Sequence, residues 1–230
     1  MRLFQSQPEH EVFYVAYGAP ARYEARVSVD SLRVHHPKWR VMVCTDDDSW
    51  GSTNHHLAFL YGVDDPKDRG ARRVKLHADR LTMCGYVLYL DADTRVLGDL
   101  SSLLSPLADG WEIVLAPSTR QGADVLGHLS EEDRSLTLRA LQTENGVSVL
   151  GLQCGVMAFR KTAAVAALFA AWREEWERFK DQDQGAFLRA LHRCPVRLWL
   201  VGNLFNCPAG PSMPEDAVIE HHFGAAKRRP

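Results

Sequence analysis

Apolar positions along the 230-residue chain recur in two patterns. Short unbroken apolar runs predict buried strands: Glu11–Tyr17 (EVFYVAY), Arg40–Cys44 (RVMVC), Val87–Leu90 (VLYL), Trp111–Ala116 (WEIVLA), Gly155–Phe159 (GVMAF) and a last short strand over Val218–Phe223. Between them, helical spacing predicts five helices. Ala21–His36 carries Ala25, Val29, Leu32 and His36 near one face and stops at Pro37. Asp68–Cys84 reads as one continuous helix, Glu131–Leu141 as another and Asp183–His192 as the last. Thr162–Lys180 is strongly amphipathic, with Leu168, Trp172, Trp176 and Phe179 on a core-facing stripe. Gly18-Ala19-Pro20 marks a break, and Ser118–Val149 is polar and irregular outside its one helix. Strand, helix, strand in that order is a βαβ unit, so a mostly parallel sheet flanked by helices in a single α/β domain is expected.

Composition narrows the picture. A hydrophobic content of 46% is enough for a sizeable core. Twenty-seven basic against 29 acidic residues give a net charge of −2, which offers no field for nucleic acid. No apolar stretch reaches the roughly 18 residues of a spanning helix. The N-terminus turns polar by Gln5, unlike a secretory signal. Five scattered cysteines without a CxxC indicate neither a zinc cluster nor a disulfide framework, so the cytoplasm is the simplest expected compartment.

The predicted strand Val87–Leu90 ends on Asp91-Ala92-Asp93. Ligands of α/β sheets gather beyond the carboxyl ends of strands. Paired carboxylates there suit Mg²⁺ or Mn²⁺ bridging to phosphate oxygens. The plainer reading is a strand-to-turn junction. Two other chemistries fit less well. Phosphatases with an aspartate pair after a strand want Thr or Val two residues beyond the second Asp, where Arg95 stands. An EF-hand loop wants a glycine that is absent.

The surroundings of the pair are more specific. The stretch VKLHADRLTMCGYVLYLDADTRVLGDLSSLL resembles the retaining glycosyltransferases of family 8, the glycogenin and lipooligosaccharide galactosyltransferase group. GLQCGVMAF (Gly151–Phe159) is similar to that family's FNSGVxxF, DQGAFL (Asp183–Leu188) to DQxxLN, NLFN (Asn203–Asn206) to a late Asn-containing loop, and HHFGAAK (His221–Lys227) to HxxGxxK. The matches keep the family's order from about Val12 to Lys227.

The resemblance implies a single GT-A domain, with a nucleotide-binding half over about 1–100 and an acceptor and catalytic half over about 101–230. It implies transfer of a hexose from a nucleotide diphosphate sugar, a UDP-sugar by analogy, to an acceptor hydroxyl with retention. A nucleotide-sugar hydrolase or a catalytically silent nucleotide-sugar binder is the alternative. Asp91, Asp93 and His221 would hold Mn²⁺ or Mg²⁺, with His222 the alternative ligand, since the two point to opposite faces of a strand. Lys227 and Lys75 would contact phosphate or sugar, with Arg72 one helical turn before Lys75 as a secondary candidate. Ala16, Tyr17 and Asp46 (or Asp47) would meet the base and ribose. Ala92, Gln153 and Gly224 fall on matched donor-side positions. Asp183 and Gln184 would stand near the anomeric carbon; the repeat Asp181-Gln182-Asp183-Gln184 offers two registers, and the second fits better. Gln153, Cys154 and Leu188 depart from the family's Asn, Ser and Asn. The implied partners are the nucleotide sugar and a carbohydrate, lipid-linked or small-molecule acceptor; a homo-oligomer is left open.

Overall fold

Strand β1 (His10–Ala16) is buried on both faces, as its unbroken apolar run requires of a central parallel strand. The structure, a computed structural model, describes residues 10–46, 55–56, 69–120, 124–144 and 149–225. Along these the chain runs β1, α1 (Ala19–His35), β2 (Arg40–Thr45), β3 (His55–His56), α2 (Arg69–Lys75), α3 (Ala78–Leu81), β4 (Tyr86–Leu90), β5 (Thr94–Val96), α4 (Ser101–Ala108) and β6 (Ile113–Pro117). It continues through α5 (Glu131–Ala140), β7 (Leu152–Arg160), α6 (Ala163–Trp176), α7 (Asp183–Arg193), β8 (Leu198–Leu200), β9 (Cys207–Pro208) and β10 (Ile219–His221).

Seven strands form one sheet in the order β3-β2-β1-β4-β7-β6-β8. Six of them run the same way; β7 alone is antiparallel to both neighbours, β4 and β6. Side chains alternate between two cores, with one change of phase in β7 between Cys154 and Val156. Phe13, Val15, Met42, Val87, Tyr89, Leu115 and Met157 face α2, α3, α6 and α7. Val12, Tyr14, Val41, Leu88, Leu90, Val114 and Val156 face α1 and α4. The expected α/β domain with a mostly parallel sheet is therefore what the chain forms. From β1 the chain crosses to β2 on one side and later returns to β4 on the other, so the strand order reverses between β1 and β4. Such switch points open a crevice at the carboxyl ends of the strands.

The expected helix Asp68–Cys84 is in fact two. Val74 and Leu76 are core residues, so the apolar spacing is real, but the helix breaks at His77 (φ −108, ψ 12). No glycine or proline causes the break. Arg173, from α6, donates to the carbonyl of Leu76 (2.7 Å) and to the Asp79 carboxylate (2.8 Å), giving the Leu76 carbonyl the donor that a continuing helix would have supplied. The helix expected to reach Lys180 stops at Trp176; Lys180 takes a left-handed backbone (φ 52), and Phe179 lies beyond the end beneath the Arg189 guanidinium. Strand β10 is the last short strand expected over Val218–Phe223, but helix α4 and the strands β5 and β9, which join β10 in a second sheet, β5-β10-β9, had no counterpart in the sequence pattern. Its strands are two or three residues long, too short for alternation to register. Among the described residues no helix is long and apolar enough to cross a membrane.

A buried ionic knot ties α5, α6 and α7 together. Arg189 donates to Asp133, to Thr137 and, through Nε, to Glu175 (2.9 Å). All three charged side chains are at least 95% shielded. Removing the cation would strip the buried Asp133 of its guanidinium, while Glu175 keeps Arg178 and Arg193. Arg189→Met is expected to cost about 3–5 kcal/mol, read as a lower urea midpoint with an unchanged slope.

Candidate active site

The carboxyl end of β4 delivers Asp91 and Asp93 into a cavity of about 580 Å³. Asp91 donates its own backbone N–H to the Gly155 carbonyl of β7 (2.7 Å). The second sheet then brings in a side chain from far along the chain. The antiparallel pairing of β10 with β5 sets His221 opposite Thr94, one residue past Asp93. His221 Nε2 consequently lies 3.1 Å from Asp93 Oδ1 and 3.7 Å from Asp91 Oδ2. One ligand atom from each of Asp91, Asp93 and His221 lies within 4.8 Å of the others. His222 points away and pairs with Glu220 (2.9 Å), as strand alternation dictates.

Each of the three is held from behind. Asp93 Oδ2 accepts from the backbone N–H groups of Gly224 (2.7 Å) and Ala225 (3.3 Å). Gly224 reaches that position at φ 73, a conformation that favours glycine. Burial raises the Asp93 pKa, but the bonds from His221 and Gly224 outweigh it and hold the carboxyl below its usual range. His221 Nδ1 sits 2.8 Å from Asn206 Oδ1, and Phe223 stacks on the ring (3.8 Å between centroids). An amide oxygen can only accept, so Nδ1 carries a proton; Nε2 faces the two carboxylates, donating to Asp93 when it too is protonated and able to give its lone pair to a cation instead. Three lone-pair donors, two of them anionic, thus converge on one point, an arrangement that a divalent cation satisfies. Gly155 leaves the room: a Cβ there would lie 2.5 Å from both Asp91 Oδ2 and His221 Cε1. The donor set fits a hard ion such as Mn²⁺ or Mg²⁺.

Lys75 is no solvent-facing helix lysine. It is only 5% exposed. Its Nζ lies 2.7 Å from Asp183 and 3.6 Å from Asp91, over the ring of Tyr89. Burial disfavours its charge, but the two carboxylates more than reverse that and its pKa is raised. Tyr89 donates its hydroxyl to Asp91 Oδ1 (2.6 Å). Burial and the Asp91 charge push the phenol pKa well up, so it stays a donor.

Asp183 and Gln184 open the first turn of α7. Two indoles and one guanidinium fix where that turn begins: Trp172 donates to the Asp183 carbonyl (2.8 Å), while Trp176 (3.1 Å) and Arg72 (3.0 Å) donate to that of Asp181. Arg72 also reaches Gln182 (3.2 Å). Gln184 donates to Gln153 (2.9 Å), which starts β7.

The cavity thus gathers Arg72, Lys75, Asp91, Ala92, Asp93, Gln153, Asp183, Gln184, His221 and Gly224. It does not gather Ala16, which is fully buried in the core, Tyr17, which packs beside Cys44, or Asp46. Asp46 instead accepts from the Gly18 N–H and from Arg22 (2.5 Å) at the start of α1. Lys227 and Asp47 lie outside the described residues. Sequence reasoning passed over Tyr89 and Arg120, and marked Asn206 only as the end of the NLFN loop, without a role. Tyr89 was within reach of it, lying two residues before Asp91 on the same strand face. Nothing in the sequence marks Arg120.

Solved structures that align with this chain include glycosyltransferases. The galactosyltransferase LgtC, solved with donor and acceptor sugar analogues, aligns with a TM-score of 0.57 at 15% identity, over 93% of this chain and 87% of LgtC. Mouse xyloside xylosyltransferase 1 aligns with a TM-score of 0.61 at 11% identity, over 92% and 97%. The chain has the GT-A glycosyltransferase fold. The bifunctional glycosyltransferase WbbM shares the GT-A arrangement with a TM-score of 0.67 at 13% identity, over 96% of this chain and 46% of WbbM. No protein-family model and no curated protein sequence matches the chain.

The Lys75–Asp183 pair has a pH signature. Burial raises the Asp183 pKa, but Lys75 and then Arg72 pull it below the usual carboxylate range. A depressed folded value stabilises the fold above the unfolded pKa of about 3.9, and the gain is lost as pH falls through the folded value. In Lys75→Met the burial effect dominates, the folded value rises, and stability is lost as pH climbs instead. The gap in urea midpoint between wild type and variant is expected to widen from about pH 4.5 to about pH 7.5. A constant gap would show that Lys75 does not balance Asp183.

Proposed function

We propose that this chain is a metal-dependent retaining glycosyltransferase of family 8, moving a hexose from a UDP-sugar to an acceptor hydroxyl. The meeting of Asp91, Asp93 and His221 at the mouth of β4, beside the Lys75–Asp183 pair, carries this reading. A divalent ion held by those three would supply the positive charge that binds a diphosphate and steadies it as it departs.

The chain's own groups do the rest. Lys75 keeps Asp183 ionised and fixes its carboxylate at the cavity wall, where a negative charge opposes the positive charge gathering at an anomeric carbon. Gln184, anchored through Gln153, positions the sugar from the same helical turn. Arg72 orders the turn before α7, and Arg120 adds a cation at the cavity rim. The acceptor oxygen forms its bond to the anomeric carbon as the bond to phosphate oxygen breaks, and the acceptor proton leaves on that phosphate. Lys227 is retained as a diphosphate contact; Ala16 is sealed in the core, Tyr17 packs beside Cys44 and Asp46 is engaged by Gly18 and Arg22, so none of the three is carried forward as a base or ribose contact. Support for the sugar is coarser: one structural neighbour is a galactosyltransferase and another a xylosyltransferase. All five cysteines are free thiols, which supports a reducing cytoplasm.

Asp91→Asn and Asp93→Asn are each expected to weaken manganese-dependent UDP binding at least about 100-fold while the melting temperature holds. His221→Ala should behave like them; His222→Ala, whose ring pairs with Glu220, should bind as wild type. Unchanged binding in both aspartate variants would remove the metal assignment. Tight binding of manganese and UDP without UDP release from any common donor would make the chain a binder rather than a transferase.

A further inference from the structure

Helix α7 carries more than the catalytic turn. Leu188, four residues beyond Gln184, lies on the same helix face about 6 Å farther along the axis. There the surface changes character. A groove of about 350 Å³ is walled by Leu150, Leu152, Leu188, Leu191 and Leu198, with His192 at its side. It shares no lining residue with the reaction cavity, but the two linings adjoin on two elements. Leu188 follows Gln184 on α7, and Leu152 is bonded to Gln153 at the start of β7. Leu150 remains 46% exposed although leucines form most of the groove's wall. The groove has the volume of a small-molecule site, about 300–1,000 Å³. It is too confined for a stable protein interface, which needs about 1,000 Å² or more. Leu188 also replaces the asparagine of the resembled family, so the border between cavity and groove is apolar where a polar group is expected.

We propose, building on the transferase reading above, that this groove is the acceptor's apolar subsite. The acceptor is an amphipathic molecule: a hydroxyl-bearing head in the cavity carried on an alkyl, aryl or isoprenoid tail that lies along Leu150, Leu188 and Leu191.

Methyl and octyl glucosides and galactosides, the latter below their micelle-forming concentrations, test the idea as acceptors with manganese and UDP-hexoses. They are measured by UDP release and, separately, by calorimetric titration. Burial of two or three tail methylenes should lower KM and Kd for the octyl glycosides about 15- to 60-fold relative to the methyl ones. Leu150→Gln, at a half-exposed position that leaves the fold intact, and Leu191→Gln should each erase most of that gain. Methyl-glycoside KM, kcat and affinity for manganese with UDP should stay unchanged. Equal values for methyl and octyl glycosides, or a gain that survives both substitutions, would overturn the subsite. If no glycoside accepts sugar, the titration still decides: saturable octyl binding lost in both variants upholds the groove, and its absence refutes it. Failure of manganese and UDP to bind would instead refute the transferase reading, a result separate from either.

Discussion

Two carboxylates within reach of one point set the terms for this structure. At the separation Asp91 and Asp93 allow, like charges repel by about 3–4 kcal/mol in a partly buried setting, and each wall of the cavity answers that repulsion. Lys75 and the Tyr89 hydroxyl serve Asp91; the Gly224 and Ala225 N–H groups serve Asp93; His221 stands between them. Among the described residues the compensation is incomplete where Nε2 of the imidazole and two carboxylate oxygens face a shared gap. The surrounding groups hold those three rigid, so an ion entering the gap meets ligands already in place.

The fold supplies this arrangement through register rather than proximity in sequence. Pairing of β10 with β5 carries His221 across more than a hundred residues to a specific neighbour of Asp93. Three indole and guanidinium donors start α7 where its first acidic side chain meets Lys75. Farther back, the Arg189 knot fixes α7 against α5 and α6. A buried cluster of that kind contributes modestly to net stability but specifies one packing of three helices, which the first turn of α7 requires.

The strands of the main sheet were legible because burial on both faces leaves unbroken apolar runs, and the DxD pair was legible because carboxylates at the end of such a run are unusual. The motif order placed His221 over His222, and strand alternation explains why only one of them could reach the aspartates. The hidden parts are those that depend on partners distant in sequence. The break at His77 is set by Arg173 from α6, which no local pattern in Asp68–Cys84 encodes. Lys75 is expected at phosphate or sugar, but nothing local in the sequence encodes that Tyr89, Asp91 and Asp183 close around it. Asp46 reads as a nucleotide contact, yet it is occupied by Gly18 and Arg22. Phe179 fits the helical stripe by spacing, but its helix has already ended.

The reversed direction of β7 has a kinetic corollary. Because it runs against its neighbours, its opening residues, not its last ones, arrive at the ligand edge of the sheet, and Gly155 forms the floor of the cluster there. The strand must thread between β4 and β6, closing a long chain loop on the β4 side before any of those residues is in place. Such closures are slow and come late when non-local contacts dominate. Appearance of ion affinity during refolding would therefore mark insertion of that central strand, while the β1–β2–β4 layer, which needs no part of it, could assemble beforehand.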